Sequence, residues 1–459
     1  MRRRRMKKTM RLLAVLLAFA LVASACGGDD SGGDDTTTTT VAATTTTTSG
    51  GGDDTTTTTE AMMDGISCDE PIVVGVITDL TGNLAIYGAH MNRAVPIGFA
   101  WATGNEPQTG EDQTYMLDEC EINVKIRDDN GVADTTTTVA RELIEVDGAD
   151  ILIGTVSSGN TAGLQGLARD NDVILIAAPA AATDITGKDF DPNTFRASRS
   201  NYQDGIAICD SLTKQYDTFV QIAPDYSFGY GGAEAYRGAC TANGGTFPAD
   251  DIFAPADTQD FTPYMETIKD VEAEALLVTW AGGGFVPLLQ AATDLGVLED
   301  KVLASPFVDN VVMPIFFGNA IGSTSTILYH YTAPDNAAND YLIAEAAKQG
   351  AFPDLFDADG MNAAIMTVEA LRATEGAADA DSLRSALEGL SFEGPKGLIE
   401  VRPEDHVAVQ DMYIVTLLNL DDPEFKYFEY VETVRPNPPC LLEGDFASRC
   451  GSLPTSLGG

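Results

Sequence analysis

IGTVSSGNTAGL (Ile153–Leu164) reads as an apolar strand ending at Gly154, a turn rich in hydroxyls, and a helix whose first turn carries no large side chain. The first turn of a helix leaves N–H groups unpaired and carries a partial positive charge. Toward an anion in a partly buried setting this is worth up to about 2 kcal/mol. Ser157, Ser158, Gly159 and Thr161 stand where those donors are free, so the stretch predicts a strand exit able to receive an anion.

The same unit recurs along the chain. IVVGVI (72–77), INVKI (122–126), ILIG (151–154), VILIAA (173–178), FVQIA (219–223), ALLVTW (275–280) and KVLAS (301–305) suit buried strands. Helix-length segments with apolar residues three and four apart lie between them, such as TTTTVARELIEV and VPLLQAATDLG. Such alternation implies right-handed crossovers and an α/β fold of doubly wound parallel sheets. About 360 residues separate Pro71 from Val434, comfortable for two cores. Pro96 falls within the expected first helix and predicts that it bends or shortens. In open parallel sheets ligands bind beyond the carboxyl ends of the strands. Here those exits are small, hydroxylated, glycine-rich or aromatic, as in TDLTGNLAIYG and APDYSFGYGG.

The residues before this region read as an export leader. Seven basic residues within the first 11 precede the apolar run LLAVLLAFALVA, too short for the roughly 20 residues that span a bilayer. LVASAC resembles a lipobox, in which Cys26 becomes the lipidated first residue. A Gly/Asp/Thr-rich stretch follows with too few apolar side chains for a core, and reads as a disordered tether. Beyond the leader 20 basic residues face 69 acidic ones, which disfavours nucleic acid and anionic membrane surfaces as partners. Without Cys26 six cysteines remain, in three sequence-local pairs: Cys68 with Cys120, Cys209 with Cys240, and Cys440 with Cys450. We expect three disulfides in that arrangement, although six cysteines allow other connectivities.

In order and spacing, VVGVITDLTGNLAIYG, IRDDNG, ILIGTVSSGNTAGLQGLA, VILIAAPAAATDIT, FRASRSNYQDG, PDYSFGYGGAEAYR and DFTPYMETIK resemble the type 1 periplasmic binding proteins of the leucine/isoleucine/valine family. Members of that family are solute receptors of branched-chain amino-acid importers. The resemblance runs from about 70 to 420. It implies two parallel-sheet lobes joined by a three-segment hinge, with the ligand cleft between them and closure around the solute. The expected organisation is leader 1–26, tether 27–65, lobe one 71–196 and 330–405, lobe two 197–329 and 406–435, and tail 436–459.

The resemblance also implies site residues. Ser158, beside Ser157, matches the family's carboxylate-binding serine, and Ala180 with Ala182 or Thr183 matches the following loop. Tyr87 and Phe228 match aromatic walls of the two lobes, and Trp280 stands near a family tyrosine. One departure matters. Where amino-acid-binding members carry an acidic residue for the ligand's ammonium, this chain has Phe307, with Asp309 two residues on. Either Asp309 reaches the ligand or the ligand has no amine there, because an unpaired buried ammonium costs several kcal/mol.

Other chemistry fits poorly. The three histidines His90, His330 and His406 stand away from the serine-rich exit, and no G-x-S-x-G elbow occurs, so no catalytic residue is expected. RDDNGVAD lacks calcium-loop spacing and reads as a capping turn, so no metal and no cofactor are expected. The reading is a lipid-anchored extracytoplasmic receptor. It takes a branched-chain or related amino acid or other small carboxylate to an ABC permease served by a separate ATPase subunit. The alternative is a sensory module with the same fold, reporting such a solute to a signalling partner.

Overall fold

IVVGVIT, a run of β-branched and apolar residues, forms β1 (Ile72–Thr78) near the centre of the first sheet. The computed structural model describes residues 65–457 apart from Pro306 and Val308, so the leader, Cys26 and the tether up to residue 64 lie outside the described residues. With β2 (Asp112–Leu117), β3 (Cys120–Asp128), β4 (Ile151–Gly154), β5 (Ile174–Ala177) and β6 (Thr194–Arg196), β1 makes a six-stranded sheet in the order β2-β3-β1-β4-β5-β6. Every neighbour is parallel except β2, which is antiparallel to β3. ILIG and ILIA, strands β4 and β5, are buried at all four positions, as expected of a parallel sheet covered on both faces.

α1 (Ala85–Thr103), α2 (Ala133–Glu145) and α3 (Ser158–Asp170) are the crossovers of this sheet. Pro96 does not shorten the first helix: α1 runs for 19 residues through it. Ala94, Val95 and Ile97 pack in one core with Met361 and Ala364 of the helix Asp357–Ala373, and that packing outweighs the lost hydrogen bond.

After α4 (Asn201–Leu212) the chain builds a second parallel sheet from β7 (Phe219–Pro224), β8 (Ile252–Ala254), β9 (Ala275–Val278) and β10 (Val302–Ala304), in the order β10-β9-β7-β8. Its first crossover is α5 (Ser227–Ala242). β11 (Thr324–Ile327) leads out of this lobe. A small antiparallel sheet of β12 (Ser391–Gly394), β13 (Gly397–Val401) and β14 (Ala408–Val409) packs on the first core through Phe392, Ile399 and Ala408. The chain then returns as β15 (Met412–Leu417) and β16 (Phe428–Val434), with β15 pairing β11 and Tyr413 and Val415 entering the second core. Three segments therefore cross between the lobes. In the third, Gln410 and Asp411 link Ala408, which pairs with Val401, to β15, which pairs with β11.

Three disulfides are formed, Cys68–Cys120, Cys209–Cys240 and Cys440–Cys450. The last closes a loop in the tail, whose Arg449 lies 5.3 Å from the Phe190 ring centroid of the first lobe. No described helix is long and apolar enough to cross a membrane.

Cys209 on α4 and Cys240 on α5 tie two helices together across 31 residues of chain. Loop-closure entropy makes such a bond worth about 3–4 kcal/mol. The double variant Cys209→Ala/Cys240→Ala should lose that much in urea denaturation, and an unchanged midpoint would show that the helix pair needs no tie.

Candidate functional site

Two helices seated tightly on strand ends create the site. A Cβ at Gly88 of α1 would stand 1.6 Å from the Asp79 carbonyl oxygen beyond β1, and one at Gly229 of α5 would stand 1.9 Å from the Pro224 carbonyl oxygen ending β7. Only glycine lets the backbone approach so closely. Tyr87 and Phe228, each one residue before its glycine, are thereby delivered to the same cavity from opposite lobes.

That cavity, with the open space at its mouth, spans about 320 Å³. Leu84, Tyr87, Val156, Ser158, Pro179, Ala181 and Phe356 line it from the first lobe, Tyr226, Phe228, Ala281 and Phe307 from the second, and Arg199 from the crossing between β6 and α4. It adjoins a larger outer cleft of about 1,090 Å³ that shares Leu84, Tyr226 and Ala281 with it and adds Asp79, Ser157, Gln259 and Trp280.

The walls are aromatic. Tyr87 meets Phe356 edge to face at 5.0 Å between centroids, and Phe228 meets Phe307 likewise at 5.4 Å. Phe307 and Phe356 close the set at 6.5 Å. The Tyr87 hydroxyl accepts from the Gly282 N–H at 3.4 Å, reaching across to the second lobe. Burial first, and then the charge of Asp309, hold that phenol protonated.

The serines divide their work. Ser157 is the N-cap of α3 and accepts from the Asn160 N–H, whereas Ser158 faces the cavity. Ser158 Oγ accepts from the N–H groups of both Ala181 and Ala182 at 3.1 Å, which leaves its own proton to donate to a ligand. Arg196, wholly buried, fixes the loop from behind by donating to the carbonyls of Ala180 and Ala182 and to Thr186 Oγ1. Burial first and the Arg199 charge second push its pKa down.

The loop residues nearest the cavity are thus Pro179 and Ala181, while Ala180, Ala182 and Thr183 do not line it. Thr183 faces α5 instead, where a Cβ at Gly231 would lie 3.3 Å from its nitrogen. Trp280 lines only the outer cleft, because its ring is packed edge to face on Phe261 at 4.9 Å in the second core.

Asp309 does not line the cavity either. Its Oδ1 accepts the N–H groups of Val311 and Val312, so it caps a turn, and Phe307 presents its ring to the cavity. Asp354 lies behind, accepting from the N–H groups of Asn310 and Leu355. Burial first and the Asp309 charge second raise Asp354 to about 7. His90 stands 4.0 Å from it and is held neutral, with its pKa lowered to about 3 by burial first and Arg93 second. Among the described residues no histidine hydrogen-bonds Ser157 or Ser158.

Carboxylates of Asp79, Asp128 and Asp129 come within 4.8 Å of one another. They hold the exits of β1 and β3 together by accepting from backbone N–H groups, among them those of Leu80, Leu84, Asn130 and Gly131.

Arg199 escaped the sequence reading, together with Tyr226, Phe356 and Pro179. One signal for it existed: with basic residues so scarce beyond the leader, two arginines three apart in FRASR at a strand exit stand out. Phe356 has none, since it arrives from the third chain segment, far along the sequence.

Residues 71–421 match the family described as "Periplasmic binding protein". The chain belongs to that family. Among curated relatives, a Leu/Ile/Val-binding protein homolog 6 of Brucella abortus (strain 2308) is 25% identical over 367 residues, covering 76% of this chain and 88% of that protein. Among solved structures, an ABC-type branched-chain amino acid transporter protein of Rhodopseudomonas palustris is 29% identical with a TM-score of 0.67, covering 81% of this chain and all of that one. An ABC transporter substrate-binding protein of Sphaerobacter thermophilus is 25% identical with a TM-score of 0.67, covering 80% and 98%. The family is one of solute-binding proteins of ABC transporters rather than enzymes, and membership implies an extracytoplasmic location.

The raised Asp354 carboxyl makes stability depend on pH. Folded, it holds its proton up to about 7. Unfolded, it releases it near 3.9, so the native state binds more protons between these values and stability falls as pH rises through that window. Asp354→Asn should therefore flatten part of the decline between pH 4 and 7 in urea denaturation. Since a tenfold difference in proton affinity is worth about 1.4 kcal/mol, the change should reach at least that size. A profile parallel to that of the unaltered protein would contradict it.

Proposed function

We propose that the protein is the solute receptor of an ABC importer, anchored outside the cell membrane through a lipid on Cys26. It captures a small carboxylate-bearing solute between its lobes, closes on it and delivers it to a permease, with ATP hydrolysed by a separate subunit. It does no chemistry on the solute. The observation that carries this reading is the cavity itself: strand exits from both lobes and a crossing segment converge on one partly open space. A solute there would touch both halves at once, and closure would follow because only the closed form satisfies both sets of contacts. The Ser158 hydroxyl and the first-turn N–H groups of α3 supply the anion-receiving side.

The reading is tested by unfolding and refolding the protein to shed carried solute, then screening amino acids, amides and carboxylates by thermal shift. A solute at 100 times its dissociation constant adds about 2.7 kcal/mol of stability, a shift of several degrees. The reading predicts that at least one small carboxylate does this and is recovered unchanged. A screen in which none does, or in which the bound compound is converted, would contradict it.

A further inference from the structure

Arg199 is 1% exposed and, among the described residues, is the only charged one lining the inner cavity. Its Nη1 donates to the Pro179 carbonyl at 2.8 Å. Behind it, Nε lies 3.3 Å from Asp204 Oδ1 without hydrogen-bond alignment, and Nη1 lies 3.9 Å from Asp359 Oδ2, beyond hydrogen-bond range. Lys396 is buried beside the same two carboxylates. The guanidinium is thus paired in charge, yet most of its five N–H groups have no aligned acceptor among the described residues. Its carbon stands 5.5 Å from the Phe307 centroid and 5.1 Å from that of Phe356, inside the aromatic slot.

We propose that Arg199 is the carboxylate anchor of this cavity and that its solute is an aromatic acid without an amine, its ring held among Phe228, Phe307, Phe356 and Tyr87. This deepens the receptor reading and rests on it. A planar guanidinium matches a carboxylate fork to fork, and in a water-poor slot such a pair is stronger than neutral donors alone. The Ser158 hydroxyl supplies a further donor on the same wall. An α-ammonium would meet Arg199 and phenyl rings and no lining carboxylate, since Asp309 caps its own turn. Side chains set edge to face around the space favour the same geometry with a ligand ring.

The test is calorimetric titration of the ligand-stripped full-length protein with benzoate, benzamide, cyclohexanecarboxylate, phenylalanine and leucine. Benzoate should bind. Benzamide, which keeps the ring and loses the charge, should bind at least tenfold more weakly, as should phenylalanine, and cyclohexanecarboxylate should be weaker than benzoate. Arg199→Gln should weaken benzoate about a hundredfold, in keeping with removal of one partner of a buried charge pair. Arg199→Lys should recover part of that, with far-UV circular dichroism unchanged in both. If Arg199→Gln does not fold, the benzoate and benzamide pair decides the matter on the unaltered protein. Leucine or phenylalanine binding while benzoate does not would overturn this inference and leave the receptor reading standing. Equal binding of benzoate and benzamide, or an Arg199→Gln protein with unweakened benzoate affinity, would overturn the anchor. No binding by any of the five or by the wider screen would overturn both readings.

Discussion

A buried guanidinium has to be answered by charge, and in this protein the answer comes from both sides of a lobe crossing. Arg199 lies between the last strand of the first sheet and the first helix of the second lobe. Asp204 meets it from α4, Asp359 from the helix Asp357–Ala373, and Pro179 from the loop after β5. Asp359 is far from Arg199 in sequence while Asp204 and Pro179 are near, so the demand of one cation joins the crossing and the carboxylate loop to the third chain segment. Buried ion pairs are poor evidence for stability, because apolar residues of similar volume often serve as well. Their place beside a ligand-sized cavity gives this cluster a better explanation, as the fixed back wall of a binding site.

The second constraint is topological. Parallel strands send all their exits to one edge of a sheet, and the two sheets here turn those edges toward each other. The glycines at 88 and 229 sharpen the effect by letting α1 and α5 sit directly on strand ends, so that the aromatic residue before each glycine projects between the lobes. Behind the site, Arg196 holds the carbonyls of Ala180 and Ala182 so that their loop can meet Ser158. Precision at the cavity thus comes from residues that never touch a solute.

Much of this was legible in the sequence because parallel strands are written as unbroken apolar runs and their exits as small or hydroxylated turns. ILIG followed by SSGNT states both the strand and the donor-rich helix start. Other features were invisible for physical reasons. Alanine at 180, 181 and 182 gives no side chain by which to choose the one facing inward, and the choice depends on Arg196, bound from the end of the next strand. An aspartate two residues from an expected acidic position could not be told from a turn cap without knowing which N–H groups it accepts, and Asp309 is the cap. Trp280 stands two residues beyond a core strand, and the pull of burial against Phe261 keeps its ring out of the inner cavity.

The central claim is that the two lobes enclose a small carboxylate. It is tested most directly by purifying the protein from its own host without refolding, denaturing it, and identifying by mass spectrometry whatever is released. The account predicts one small compound bearing a carboxylate, in proportion to the chain and chemically intact. Release of nothing, or of a compound with no carboxylate, would contradict it.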